Sequence, residues 1–331
     1  MRRSTVGLIL VLTLLLRTAP LAAVNQPSQR PRIAFLGYNF PPAAAASTPF
    51  LEAFRHGLRE HGWVEGDSIT IEWRWAEGSL QRFAALVAEV IGLQVQVIVV
   101  PNAQTAAIAK RLTTTIPIVV IAAGDLLDNG LIASLARPGG NVTGLTTMTN
   151  ELTLTHLELL REALPEVTRV AVLQGLSAYS KSPIWSKMQT TARALGMELA
   201  LFEVREPTAF DRAFAAMTAV PVDALLVLGD PFFTPYHRQI AAWAARHRLP
   251  SIGAGRPLAE AGYLMSYGAN QRDQGQHIAA YVDKILQGAN PADLPVEQPM
   301  QFELVINLKT AQALGLTLSP LFLFRAHEVI R

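Results

Sequence analysis

The sequence predicts an α/β protein built as two doubly wound lobes of similar size, and three observations carry that reading. Short apolar runs rich in β-branched residues, such as 95–100 and 116–123, alternate with stretches whose apolar residues recur at helical spacing. Runs of this length without in-out alternation suit strands buried on both faces of a parallel sheet. Each run stops at Pro, Asn, Gly or Asp just before a helical pattern begins, as at Pro101-Asn102 and Gly124-Asp125. That is the carboxyl edge of an open α/β sheet, where ligands sit. Finally, the alternation runs to about residue 148 and then restarts, with no fixed-period sequence repeat, so the two halves share architecture only.

Taken in order, RIAFLG at 32–37 reads as the first strand, with Tyr38, Asn39 and Phe40 in the loop at its end. Phe50, Leu51, Phe54 and Leu58 then mark a helical face over 48–61, stopped by Gly62. ITIEWRW within 68–75 alternates as a half-buried strand and 80–91 is the next helix. Strand 95–100, helix 103–111 and strand 116–123 follow. A helical pattern leads on to Arg137, then a strand-like run over 141–148. The second series comprises helix 152–164, strand 169–173, helix 183–195, strand 198–204, helix 210–219, strand 223–228, helix 236–247, and strands 249–253 and 263–267. A long helix over 274–287, a strand over 302–306 and a helix over 310–314 close the chain.

The first 23 residues read as a secretory signal: Arg2 and Arg3 precede an apolar run of about eleven residues and a small-residue zone. The run is shorter than the roughly 20 residues a bilayer span needs; the alternative is an uncleaved anchor. Residues 24–31 are polar and Pro-containing, a short linker. Loss of residues 1–23 removes three arginines and no acids, which takes the net charge from +2 to about −1. Such a balance favours no nucleic-acid partner. The chain has no cysteine, which excludes disulfides, thiol catalysis and a lipid anchor on an N-terminal Cys.

IPIVVIAAGDLLDNGLIASLARPGGNVTG, at 116–144, resembles the exported substrate-binding proteins of ABC transporters, in the family that includes tryptophan- and tyrosine-binding members. FRHGLREHGWVEGDSITIEWRWAEG, DALLVLGDPFF, VEQPMQFELVINLKTAQALGLTLSP and the closing RAHEVIR agree in kind and order. The resemblance covers nearly all of 32–331. It implies a periplasmic-binding-protein fold of the first type, two Rossmann-like lobes joined by crossing strands, with lobe one over 32–145 and 268–331 and lobe two over 146–267. Crossings are expected near 143–147, near 266–269 and in the tail. It also implies a small-molecule ligand held between the lobes by hinge closure, no cofactor, a periplasmic location, delivery to an inner-membrane ABC permease, and a monomer.

Several residues are candidates for holding that ligand. Asn102-Ala103-Gln104-Thr105 lies between a strand and a helix, where the N–H groups of Ala103, Gln104 and Thr105 can face a carboxylate. Asn is also the residue type that caps a helix, and the two roles are compatible. Asp230, in Gly229-Asp230-Pro231, ends a strand of lobe two, where it could pair with an α-amino group or cap a turn. Asp125 ends a strand of lobe one with the same two options. Tyr38, Asn39 and Phe40 offer aromatic and polar contact to a ligand ring. The family more often has a small or polar residue before its proline-rich first loop, so Phe40 departs from the pattern. Gln174 stands where relatives carry an Asn-Pro loop, a departure that bears on ligand choice. Tyr267 and Tyr179 are further candidates, whereas Trp73, Trp75 and Trp185 read as core or surface aromatics.

Catalytic readings find little. There is no GxSxG, HExxH, P-loop or GxGxxG, and the seven histidines are scattered without metal-ligand spacing. An enzyme on the same architecture, such as a sugar-nucleotide transferase or epimerase, is the alternative function class. A ligand-sensing partner of a membrane receptor is another, physically the same binding module.

Overall fold

Two sheets that share the same order of five parallel strands form the skeleton. The computed structural model describes residues 30–38, 48–123, 126–127, 129–146, 149–175, 183–299 and 301–331. The first sheet contains β1 (Arg32–Gly37), β2 (Thr70–Trp75), β3 (Val97–Val100), β4 (Ile118–Ala123) and β5 (Val142–Thr146), in the order β2-β1-β3-β4-β5, all parallel. Helices α1 (Pro49–Glu60), α2 (Leu80–Gly92) and α3 (Ala103–Leu112) supply three of the crossovers. The second sheet repeats this order with β6 (Arg169–Gln174), β7 (Glu198–Glu203), β8 (Ala224–Val227), β9 (Ser251–Gly253) and β10 (Met265–Ala269), as β7-β6-β8-β9-β10. Its helices are α4 (Thr149–Ala163), α5 (Pro183–Ala194), α6 (Phe210–Thr218), α7 (His237–Arg246) and the short α8 (Arg256–Ala261). The tail adds α9 (Gln271–Leu286), β11 (Phe302–Asn307), α10 (Leu308–Leu314), α11 (Pro320–Phe324) and β12 (Glu328–Ile330).

Each sheet is covered on both faces, as strands without alternation require. All four residues of β3 are buried. In the first lobe, Ile98, Val100 and Val120 pack with Phe83, Val87, Val90 and Ala106 on one side, while Val97, Val99 and Val119 pack with Phe54, Ile278 and Val282 on the other. In the second lobe, Val170, Val172 and Leu226 meet α4, α5 and the tail, and Ala171, Leu173, Leu225 and Val227 meet α6, α7 and α8.

The expected assignment of all of 268–331 to lobe one is corrected by the strand pairing. β11 runs antiparallel to β10 from Met265↔Ile306 to Ala269↔Phe302, and β12 extends the same sheet. Leu304, Ile306, Ala311, Leu318 and Phe322 fill the second core, where burial takes their apolar side chains out of water. Only α9 and the stretch that follows it return to lobe one. Thr143 Oγ1 donates to the Leu294 carbonyl at 2.8 Å, Tyr281 O–H donates to the Pro295 carbonyl, and Leu145 bridges to Glu297. The chain therefore crosses three times: between β5 and α4, between β10 and α9, and between Glu297 and β11.

The helix expected to lead to Arg137 is also absent: the described residues between 126 and 141 are turns and bends. Gly130 stands at φ +63°, in the left-handed region, and its N–H closes a turn onto Leu127. Leu126, Leu131 and Ile132 are buried by this irregular path, and Lys110 Nζ binds the Gly130 and Leu131 carbonyls. The sequence reading also omitted α8, α11 and β12. Residues 1–29, with the expected signal and most of the linker, lie outside the described residues. Pro31–Arg331 form one compact unit.

In lobe one, α9 lies directly on α1. A Cβ on Gly275 would press on the Phe50 carbonyl and stand 2.9 Å from Ala53 Cβ and Phe54 N, and one on Gly57 would stand 2.8 Å from Ala279 Cβ. Glycine at both positions lets the backbones approach. Farther along, Trp63 Nε1 donates to Asp283 Oδ1 at 2.8 Å. The helix that follows the second crossing is thereby clamped to lobe one.

Candidate functional site

A sheet ordered 2-1-3 reverses its winding between strands 1 and 3, and the helices leaving those strands part to leave a crevice at their carboxyl ends. In lobe one the crevice lies between the ends of β1 and β3, at Tyr38 and at Pro101-Asn102. In lobe two it lies between the ends of β6 and β8, at Gln174-Gly175 and at Gly229-Asp230. Most of the candidates identified from sequence fall at these four strand ends.

Asn102 is the N-cap of α3 and forms a reciprocal capping box: its Oδ1 accepts from Thr105 N at 3.0 Å, and Thr105 Oγ1 accepts from Asn102 N at 3.1 Å. Thr105 is fully buried and its N–H is consumed by the cap. Of the three donors expected to face an anion, two remain: the N–H groups of Ala103 and Gln104 take no partner among the described residues. Dipole attraction at such a helix start is worth about 0.3–2 kcal/mol to an anion.

Asp230 is 8 % exposed and begins the 3-10 turn over Pro231–Tyr236, where its Oδ1 accepts from Phe232 N at 2.8 Å. Its carboxylate lies against the backbone of Gly175: a Cβ there would stand 2.7 Å from Asp230 Oδ2 and 2.8 Å from Cγ. Glycine after Gln174 is what allows the acid this position, a signal visible in the sequence only once β6 and β8 are known to be neighbours. Behind it, Phe232 stacks on Phe210 at 6.1 Å and packs against Tyr236 at 5.5 Å.

Tyr38 follows directly on β1. Its hydroxyl donates to the Gly78 carbonyl at 2.7 Å. Burial raises the phenol above its ordinary value, and the negative charge of Asp230 raises it further. The charge of an acid at the end of β8 thus bears on a phenol at the end of β1. Sequence reasoning placed Tyr38 in the right loop but could not pair it with Asp230, because 192 positions separate them.

Gln174 is fully buried, and its Nε2 donates to Glu203 Oε1 at 2.9 Å, at the neighbouring end of β7. Glu203 also accepts from Arg205 Nε at 3.2 Å. Tyr267 stands apart from the strand ends. Its ring stacks on Phe302 at 5.8 Å and its carbonyl bonds His156 Nε2 at 2.7 Å, beside the second crossing. His156 is buried, which lowers its pKa to about 4 against the opposing pull of the Tyr267 carbonyl, so near pH 7 the ring is neutral and Nε2 carries its proton. Asn39, Phe40, Asp125 and Tyr179 lie outside the described residues. Trp75 is core, packed in the aromatic cluster around Phe35. Among the described residues, no group of three His, Cys, Asp or Glu side chains could hold a metal, and no helix is long and apolar enough to cross a membrane.

The chain is 24 % identical over 272 residues to the tyrosine-binding protein of Clostridioides difficile (strain R20291), spanning 80 % of this chain and 76 % of that protein. An ABC domain from Streptococcus pneumoniae, solved in complex with L-Trp, superposes with a TM-score of 0.81 at 24 % identity, covering 91 % of this chain and all of that one. A conserved domain protein from Vibrio cholerae gives the same TM-score and coverage at 25 % identity. Solute-binding proteins of the same two-lobe build, periplasmic ones among them, also superpose on it. Residues 46–330 match the family described as ABC transporter substrate binding protein. With capture rather than chemistry as its task, the chain belongs to that family of solute-binding proteins.

Proposed function

We propose that this protein captures an α-amino acid with an aromatic or branched side chain between its lobes and presents it to an ABC permease. The observation that carries the reading is the complementarity of the two crevices. Lobe one offers two helix-start N–H donors, at Ala103 and Gln104, to a carboxylate; lobe two offers Asp230 to an ammonium group. That the charge of Asp230 acts on Tyr38 supports a reading in which these groups stand on facing walls. The tyrosine-binding relative and the L-Trp complex favour a ligand of this class.

In this reading Asn39 and Phe40 touch the ligand side chain, and Gln174 and Tyr267 shape the rest of the cleft. Asp125 contributes at the end of β4. The protein is exported on residues 1–23, works in the periplasm and is a monomer. Closure buries the ligand, and the ligand shifts the equilibrium only through its preference for the closed form. The test is a thermal-shift and calorimetric screen of residues 24–331 against amino acids, sugars, purines and small acids. A ligand at 100 times its Kd stabilises by about 2.7 kcal/mol. Stabilisation by tyrosine, tryptophan or a branched amino acid is the expected result; a response confined to sugars or purines would overturn the assignment.

A further inference from the structure

Asn270 is the residue at which the chain leaves the second sheet and enters lobe one, between β10 and α9. Its side chain is used twice. Oδ1 caps α9, accepting from Arg272 N at 2.9 Å and Asp273 N at 3.0 Å. Nδ2 donates to Glu303 Oε2, on β11 of the second sheet, at 3.0 Å. The backbone N–H of Asn270 donates to the Gln301 carbonyl at 2.9 Å, which ties together the second and third crossings.

These contacts belong to different bodies. α9 packs closely on α1 of lobe one at Gly57 and Gly275, whereas β11 is an interior strand of the second sheet. Glu303 is in turn surrounded by groups of lobe two. Burial holds its carboxyl above the ordinary range; Arg256 and His327 draw it down, as does the bond from Asn270, and Glu328 pushes it up. Arg256 is itself committed to Glu328 and Glu260.

We infer that Asn270 is a hinge pin: one amide that caps the first helix of lobe one beyond the crossing and, through Glu303, holds that helix start at a set angle to the second sheet. This rests on the two-lobe capture reading. Asn270 and Glu303 are positioning residues, acting on the open–closed equilibrium and not on the ligand. Rotation of the lobes must stretch or swing the Nδ2–Glu303 bond, because its ends ride on separate bodies, while the Oδ1 cap rides with α9 throughout.

The experiment uses the absence of native cysteine. Ala88→Cys on α2 and Ala194→Cys on α5, both exposed, give a spin-label pair spanning the lobes in residues 24–331, and its distance distribution is measured without ligand. Asn270→Ser keeps a capping oxygen but is too short to reach Glu303; Glu303→Ala cuts the bond from the other side; Glu303→Gln retains an acceptor. The distribution should broaden or shift with Asn270→Ser and with Glu303→Ala, and stay close to wild type with Glu303→Gln. Distributions for Asn270→Ser and Glu303→Ala that superimpose on wild type would overturn the inference. A parallel titration with L-tyrosine and L-tryptophan should show Kd moved at least threefold by the two severing variants. Failure of both amino acids to bind even the wild type would count against the proposed ligand class, while the ligand-free distances still decide the pin.

Discussion

Replacing Asp230 by Asn isolates the charge proposed to hold the ligand's ammonium group. The amide oxygen can still accept from Phe232 N, now 2.8 Å from Asp230 Oδ1, so the turn over Pro231–Tyr236 keeps its cap. At 8 % exposure the carboxylate is little screened by water. A hydrogen bond to a charged group contributes about 1.5–3 kcal/mol, and each 1.4 kcal/mol is about tenfold in Kd. Asn at 230 should therefore weaken an amino-acid ligand by about ten- to a hundredfold by calorimetry. Ala should do the same and also lose the cap, costing about 1 kcal/mol of stability. A second readout needs no ligand. Because the Asp230 charge contributes to raising the Tyr38 phenol, Asp230→Asn should lower the Tyr38 pKa in an alkaline titration, with Tyr38→Phe identifying its signal. An unchanged Kd for the ligand that stabilises the wild type would refute the ammonium role. A lowered Tyr38 pKa with unchanged Kd would mean that Asp230 faces the cleft without holding the ligand.

Three further outcomes are expected. Burial holds both His156 and His237 down to about 4 from an ordinary 6.5. Unfolded histidines take up protons first, so stability is level above about pH 7. It then falls as pH drops from 6.5 towards 4, by about 3 kcal/mol per residue at about 1.4 kcal/mol per pKa unit. Urea unfolding at pH 7 and 4.5 checks this, and a His237→Phe variant that loses as much as the wild type would count against it. Gly275→Val should destabilise by about 1–3 kcal/mol through overpacking against Phe50, Ala53 and Phe54, read as a lower urea midpoint; an unchanged midpoint would mean that α9 can lift from α1 at no cost. Asn102→Ala should cost about 1 kcal/mol as the capping box is lost, with a smaller loss of affinity than at Asp230; full stability would show that the box is dispensable.

Much of the fold was legible because strands such as 95–100 are apolar throughout and end in residues that start helices. Asp230 and Asn102 were legible for the same reason, since a polar residue between a buried strand and a helix has few places to lie other than the sheet's carboxyl edge. The irregular stretch after β4 was not, because the spacing of Leu126, Leu131 and Ile132 serves a helix face and a folded loop equally well. Nor was the short α11, whose signal, Ser319 capping and Pro320 at its first turn, is too brief to stand out in a polar-apolar tail.

Local pattern by itself determined the class of each segment, the doubling of the lobes and the positions of the strand ends, because periodicity and capping act over a few residues. Tertiary structure alone decided which strand ends are neighbours. It set Gly175 beneath Asp230, brought that acid within reach of Tyr38, sent β11 and β12 to the second sheet, and gave Asn270 a partner on each lobe. Those outcomes depend on strand order and on competition between two cores for the same tail, and such long-range packing energies leave no mark at the spacing of neighbouring residues.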